Sequence, residues 1–181
     1  MIEGTLIILA AVLAVGCIWI YNRLVRNRNL VNEAWAGIDV QLQKRHGLVP
    51  NLVSTVKGYV AHESGVFSDV ARIRNERNAA VSELARQETE LSRSLGRLFA
   101  LAEDYPDLKA SKGFQQLHSA LVEIEDHLQY ARRYYNGAAR DNNNLVESFP
   151  SNLVANIFAF SQAEFFEIEF ASQRSAPDVD L

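Results

Sequence analysis

Residues 43 to 63, "QKRHGLVPNLVSTVKGYVAHE", combine two histidines, three basic residues and a proline in a stretch whose apolar spacing is otherwise helical. His62 followed by Glu63 is half of the pattern by which a helix holds zinc between two histidines one turn apart, with the glutamate as general base. The second histidine would stand at position 66, which is Val66. A solvated helix end is therefore expected there. Bundles can also hold paired metals through Glu-x-x-His on facing helices. The residues three before His46, His62, His118 and His127 are Gln43, Tyr59, Gln115 and Ile124, none of them acidic. Glu123 and His127 lie one turn apart but flank the core positions, so a surface ion pair is expected. No Gly-x-Ser-x-Gly and no phosphate-binding glycine loop occur, and the single Cys17 sits in an apolar run. No catalytic residue, metal site or cofactor is expected.

What stands out is polarity at positions that should be core. Arg28, Val31, Trp35, Ile38, Leu42, Arg45, Val49, Leu52, Val56 and Tyr59 alternate at three and four spacing, one helix face sustained for about eight turns. A second series runs through Phe114, Leu117, Leu121, Ile124, Leu128, Ala131, Tyr135, Ala138, Asn142, Leu145 and Phe149. Arg45 and Asn142 thus fall in the seam. A buried cation without a partner costs several kcal/mol, so a carboxylate or carbonyl must meet Arg45. Asp39 lies on an adjacent face. Two readings are open: a network of Asp39, Arg45, His46, Tyr134, Tyr135, Asn136 and Asn142 that fixes helix register, or a buried polar pocket around Arg45 and Tyr135 that serves a small-ligand binder or an enzyme. Pro50 removes a helical hydrogen bond and collides with the His46 carbonyl, so a kink is expected at Gly47 and Pro50, seating Arg45 against "RRYYN".

These residues need long helices to position them. Between the two series, residues 65 to 103 carry a third amphipathic pattern through Val66, Val70, Ile73, Val81, Leu84, Leu91, Leu95, Leu98 and Leu101. Gly65, Pro106 with Ser111 as a cap, and Pro150 with an N-cap Ser151 supply the breaks. Short connections imply antiparallel neighbours, which would set Arg45 opposite Ala131. A segment over 151–171 reads as a shorter fourth helix. The expected fold is all-α: a transmembrane helix, then an antiparallel bundle of three long helices and a shorter fourth.

From Gly4 to Tyr21, "GTLIILAAVLAVGCIWIY" contains no charge and covers ~27 Å at about 1.5 Å per residue, enough to cross a bilayer. Trp19 and Tyr21 suit an interface, and Arg23, Arg26 and Arg28 follow. By the positive-inside rule the bundle faces the cytoplasm and the short N-terminus lies outside. A cleaved signal wants a basic start, but Glu3 stands there. "AVGC" is close to a lipoprotein cysteine box, yet Ala14 occupies a place usually larger, and a cysteine filling space in a membrane helix is favoured over lipidation. The expected boundaries are an anchor over 1–22, a bundle over 23–174 and a flexible tail over 175–181.

The net charge of −4 hides an asymmetry. Between Asn22 and Gly58 stand six Lys/Arg against two acids, and from Asp141 onward seven acids against Arg174 alone. No basic stripe interleaved with aromatics is present, so no nucleic-acid partner is expected. Phe158, Phe160, Phe165, Phe166 and Phe170 exceed what one face of a short helix buries, and are expected to offer an oligomer or partner surface.

"YNRLVRNRNLVNEAWAGIDVQLQKRHGLVPNLVSTVKGYVAHE", "ALAEDYPDLKASKGFQQL" and "RRYYNGAARDNNNLVESFPSNLVA" resemble, in order and spacing, the signature blocks of the LemA family. Gly47 replaces an acidic residue common after the histidine, and "AARDNNN" is more polar than usual. The resemblance implies a bacterial protein with an N-terminal membrane segment and a helical bundle, and it brings no catalytic residues. It also implies a link to envelope organisation or stress response, because relatives include magnetosome-associated proteins and members often lie beside membrane proteases of the HtpX type. The resulting expectation is a non-enzymatic, self-associating scaffold or adaptor, anchored in lipid through residues 4–21.

Overall fold

Helix α1 (Ile2–Lys57) carries the apolar stretch, the arginine belt and the first heptad series without interruption, passing through Gly47 and Pro50, both exposed. The structure is a computed structural model that describes residues 2–60 and 80–167. In it α2 (Val81–Glu103), α3 (Pro106–Ala110), α4 (Lys112–Glu147) and α5 (Ser151–Ile157) complete an all-α fold: one N-terminal membrane-length helix, then a bundle with one notably shorter helix. His62, Phe170, the start of the third amphipathic pattern and the 175–181 tail lie outside the described residues. From Ile2 to Trp19 every side chain of α1 is exposed. A helix apolar on all sides and uncovered by its own chain is built for lipid.

The fold divides into two compact units, each contributed to by α1 and α4. In the unit of Val40–Gln129, Val49, Leu52, Val56 and Val60 pack in one cluster with Leu91, Leu95, Leu98, Ala102, Leu108, Phe114 and Leu121. Pro106 opens α3 at a first-turn position that needs no N–H. Ser111 caps α4, its Oγ accepting the Phe114 N–H at 3.2 Å. Phe99 meets Phe114 and His118 edge-on, so α2 and α4 run antiparallel across that turn. By contrast α2 runs in the same direction as α1: Arg45 meets Glu88, and the cluster continues from Val56 and Val60 to Leu98 and Ala102.

The other unit comprises Met1–Asp39 and Tyr130–Phe165. Here α1 and α4 are antiparallel: Trp35 packs edge-on against Tyr135 at 5.4 Å, and Asn27 Nδ2 donates to the Asp141 carbonyl at 3.3 Å. Leu24 forms a small core with Val154, Ala155 and Phe160. The chain turns from α4 into α5 through a cis Phe149–Pro150 peptide. Ser151 does not cap α5 as expected; its hydroxyl donates to the Ser148 carbonyl at 2.8 Å.

The fourth helix is much shorter than the 151–171 expected, because its end is actively closed. Phe160 N–H donates to the Ala155 carbonyl at 2.9 Å and Ala159 N–H to the Asn156 carbonyl at 3.4 Å, with Ala159 left-handed at φ 54°. These are the paired bonds of a Schellman stop, and Phe160 packing on Val154 and Ala155 supplies its apolar contact. From Phe158 to Glu167 the chain is not helical.

Candidate functional site

In the Val40–Gln129 unit, heptad spacing carries Arg45 inward from α1, where it is 4 % exposed. Its Nη1 donates to Glu88 Oε2 at 3.2 Å, and its Nη2 donates to Ser92 Oγ at 2.8 Å and faces Glu125 Oε2 at 3.2 Å. One cation thus joins α1, α2 and α4. Glu88 is fully buried, and its other oxygen lies 2.7 Å from His46 Nε2. A carboxylate only accepts, so that nitrogen carries the proton. Both Glu88 oxygens are engaged by the chain itself. A ligand entering here would have to displace Arg45 or His46, which makes the cluster suited to holding three helices in register.

Glu88 was absent from the residues singled out in the sequence. Its signal was nevertheless present: Leu84, Glu88, Leu91, Leu95, Leu98 and Ala102 keep the four–three alternation, and Glu88 fills the gap between Leu84 and Leu91. The carboxylates at the side of Arg45 are Glu88 and Glu125, while Asp39 is exposed. Glu123 and His127 form an exposed pair at 3.7 Å. Among the described residues no three His, Cys, Asp or Glu side chains converge as a metal site would require.

The remaining seam residues belong to the other unit and serve a different arrangement. Tyr135, buried beneath Trp35, donates its hydroxyl to the Glu164 carbonyl at 2.8 Å. Burial and the nearby Glu164 carboxylate push its phenol above the usual tyrosine range. Asn142 Nδ2 donates to the Ser161 carbonyl at 3.3 Å, and Asn143 exchanges two bonds with Ala163. Gln162 reaches back to Glu147 at 2.6 Å. Side chains of α4 therefore clamp the chain that follows α5. Tyr134 is exposed and Asn136 half-buried. The polar "AARDNNN" run finds its use here, supplying partners to a backbone that has left the helix.

Of the phenylalanines expected on a partner surface, Phe160 and Phe166 are turned inward, 8 % and 2 % exposed, whereas Phe158 and Phe165 are exposed. The left-handed turn at Ala159 separates Phe158 from Phe160. Phe149, Leu153 and Ile157 stand out beside Phe158 in the chain, with Phe149 79 % and Ile157 75 % exposed.

The LemA family model matches residues 34–181. Magnetosome protein MamQ 1 and Magnetosome protein MamQ 2 of Paramagnetospirillum magneticum are each 26% identical over 175 residues, covering 81% of this chain and 64% of the relative. Protein LemA of Metamycoplasma hominis is 27% identical over 162 residues, covering 88% of this chain and 73% of the relative. The chain thus spans a little under two thirds of the length of the magnetosome relatives it matches.

Proposed function

Because this chain belongs to the LemA family, we propose that it is a non-enzymatic scaffold or adaptor that organises the cell envelope or its stress response. It is a bacterial membrane protein with one N-terminal membrane-length helix. In this reading residues 1–22 anchor the chain once, the arginines at 23, 26 and 28 hold the bundle in the cytoplasm, and the protein self-associates. Other membrane proteins, including a protease of the HtpX type, are candidate partners.

The observation that carries the reading is the Arg45–Glu88–His46 cluster. Its buried polar groups engage one another across three helices, as a rigid body requires and as a site awaiting substrate does not. The magnetosome proteins among its relatives are in keeping with this reading. Crosslinking in intact membranes, followed by capture of the full chain, tests the proposal. The expected result is an oligomer or a captured membrane protein; monomer alone, with nothing captured, would contradict it.

A further inference from the structure

The α4–α5 corner carries four large apolar side chains, Phe149, Leu153, Ile157 and Phe158, exposed at 79 %, 54 %, 75 % and 56 %. A water-facing corner has no reason to gather them. Its position within the Met1–Asp39 and Tyr130–Phe165 unit supplies one. Along the antiparallel pair each step down α1 matches a step up α4: Trp35 faces Tyr135 and Asn27 meets Asp141. Continued, that register puts Phe149 level with Trp19, inside the last turn of the apolar run. Trp19, Ile20 and Phe149 accordingly line one groove of about 670 Å³. Tyr21 also packs edge-on against Phe158 at 4.8 Å and Phe160 at 5.7 Å.

We infer that this corner is a second membrane contact, an interfacial shoulder that sinks Phe149, Leu153, Ile157 and Phe158 into the phospholipid leaflet around the Trp19–Tyr21 end of α1. The occupant is lipid rather than another protein because the patch is continuous with a helix surface that only lipid suits, and because its chemistry grades as an interface does. Apolar Gly16, Ile20 and Phe149 line one part of the groove, Trp19 is intermediate, and the polar side chains of Arg23, Asn27, Asp141, Asn144 and Ser148 line another. Arg23 lies over the Trp19 ring at 5.6 Å, where its charge can reach a lipid phosphate while the ring stays at the acyl boundary. Segments that lie in an interface bury their apolar face about 5–10 Å deep, a depth open to side chains level with Trp19. The inference rests on α1 entering the bilayer and not on the scaffold role.

The test uses the full chain in phosphatidylethanolamine–phosphatidylglycerol vesicles doped with lipids brominated close to the glycerol. Single-tryptophan chains are made with Trp35→Phe alone, keeping Trp19 as reference, and with Trp19→Phe and Trp35→Phe plus Phe149→Trp, Ile157→Trp or Tyr130→Trp. Phe149 and Ile157 are exposed, so neither substitution disturbs the core. Tryptophan at 149 and at 157 is expected to lose at least about half as much fluorescence as Trp19, and tryptophan at 130, far along α4, almost none. If 149 and 157 behave like 130 while Trp19 is quenched, or if a photocrosslinker at 149 captures a second copy instead of lipid, the inference is overturned. An unquenched Trp19 would overturn the anchor as well.

Discussion

Asn143 and Ala163 exchange two hydrogen bonds: Asn143 Nδ2 donates to the Ala163 carbonyl at 2.9 Å, and Ala163 N–H donates to Asn143 Oδ1 at 2.7 Å. One amide side chain thereby does for the extended segment what a neighbouring strand would do. Replacing it by alanine leaves both backbone groups of Ala163 without that partner, at a cost of about 1–3 kcal/mol. Urea unfolding of Asn143→Ala should show that loss, with faster amide exchange at Ala163 and unchanged exchange at Leu98. Native exchange at Ala163 would mean that the clamp does not hold the segment.

Ala159 occupies the left-handed position after α5 at φ 54°, where a Cβ is unfavourable. Glycine fits that conformation, so Ala159→Gly is expected to raise stability by up to about 1 kcal/mol despite the added freedom of the unfolded chain. A lowered melting temperature would contradict the Schellman assignment.

Tyr135 gives a pH dependence at the alkaline end. Its phenol is held above the usual range, so above pH ~10 the unfolded tyrosine ionises first and stability falls from there through the folded value. Tyr135→Phe removes that part of the alkaline slope, and costs about 0.5–1.5 kcal/mol at neutral pH through the lost bond to Glu164. Stability curves of the two chains against pH, if they ran parallel above pH ~10, would refute the assignment.

At the start of α2, Glu83 is gripped by Arg86 through two hydrogen bonds and by Gln87 through a third, which lowers its carboxyl to about 2. A lowered value stabilises the fold above the unfolded carboxylate range, and this contribution fades as pH falls toward about 2. A carboxyl-resonance titration should place the Glu83 midpoint there. Because the group is at the surface, high salt or Arg86→Ala should move it back up toward ordinary values. A midpoint indifferent to both would show that the pair does not form in solution.

The helices were legible in the sequence because a heptad face depends only on which residues are apolar, and Leu42, Leu52, Leu98 and Leu128 all lie where that face put them. The ends were less so. Val60 is buried where Tyr59 was expected, since α1 ends at Lys57 and its helical spacing stops with it. That Arg45 needs a carboxylate follows from charge alone. That the carboxylate is Glu88 depends on the direction of α2, which apolar spacing alone does not declare. The stop at Ile157 escaped notice because its usual marker, a glycine after the helix, is here Ala159.

The central claim is that the Arg45 cluster holds helices together and does no chemistry, and paired substitutions of Arg45 and Glu88 test it most directly. Arg45→Met alone strands a fully buried carboxylate and should cost about 3–5 kcal/mol, whereas Arg45→Met with Glu88→Met should return to within about 1 kcal/mol of the parent. The double variant should also crosslink in membranes and capture partners as the parent does. A double variant that melts like the parent yet has lost its partners and its cellular phenotype would contradict the account, because the cluster would then be a site.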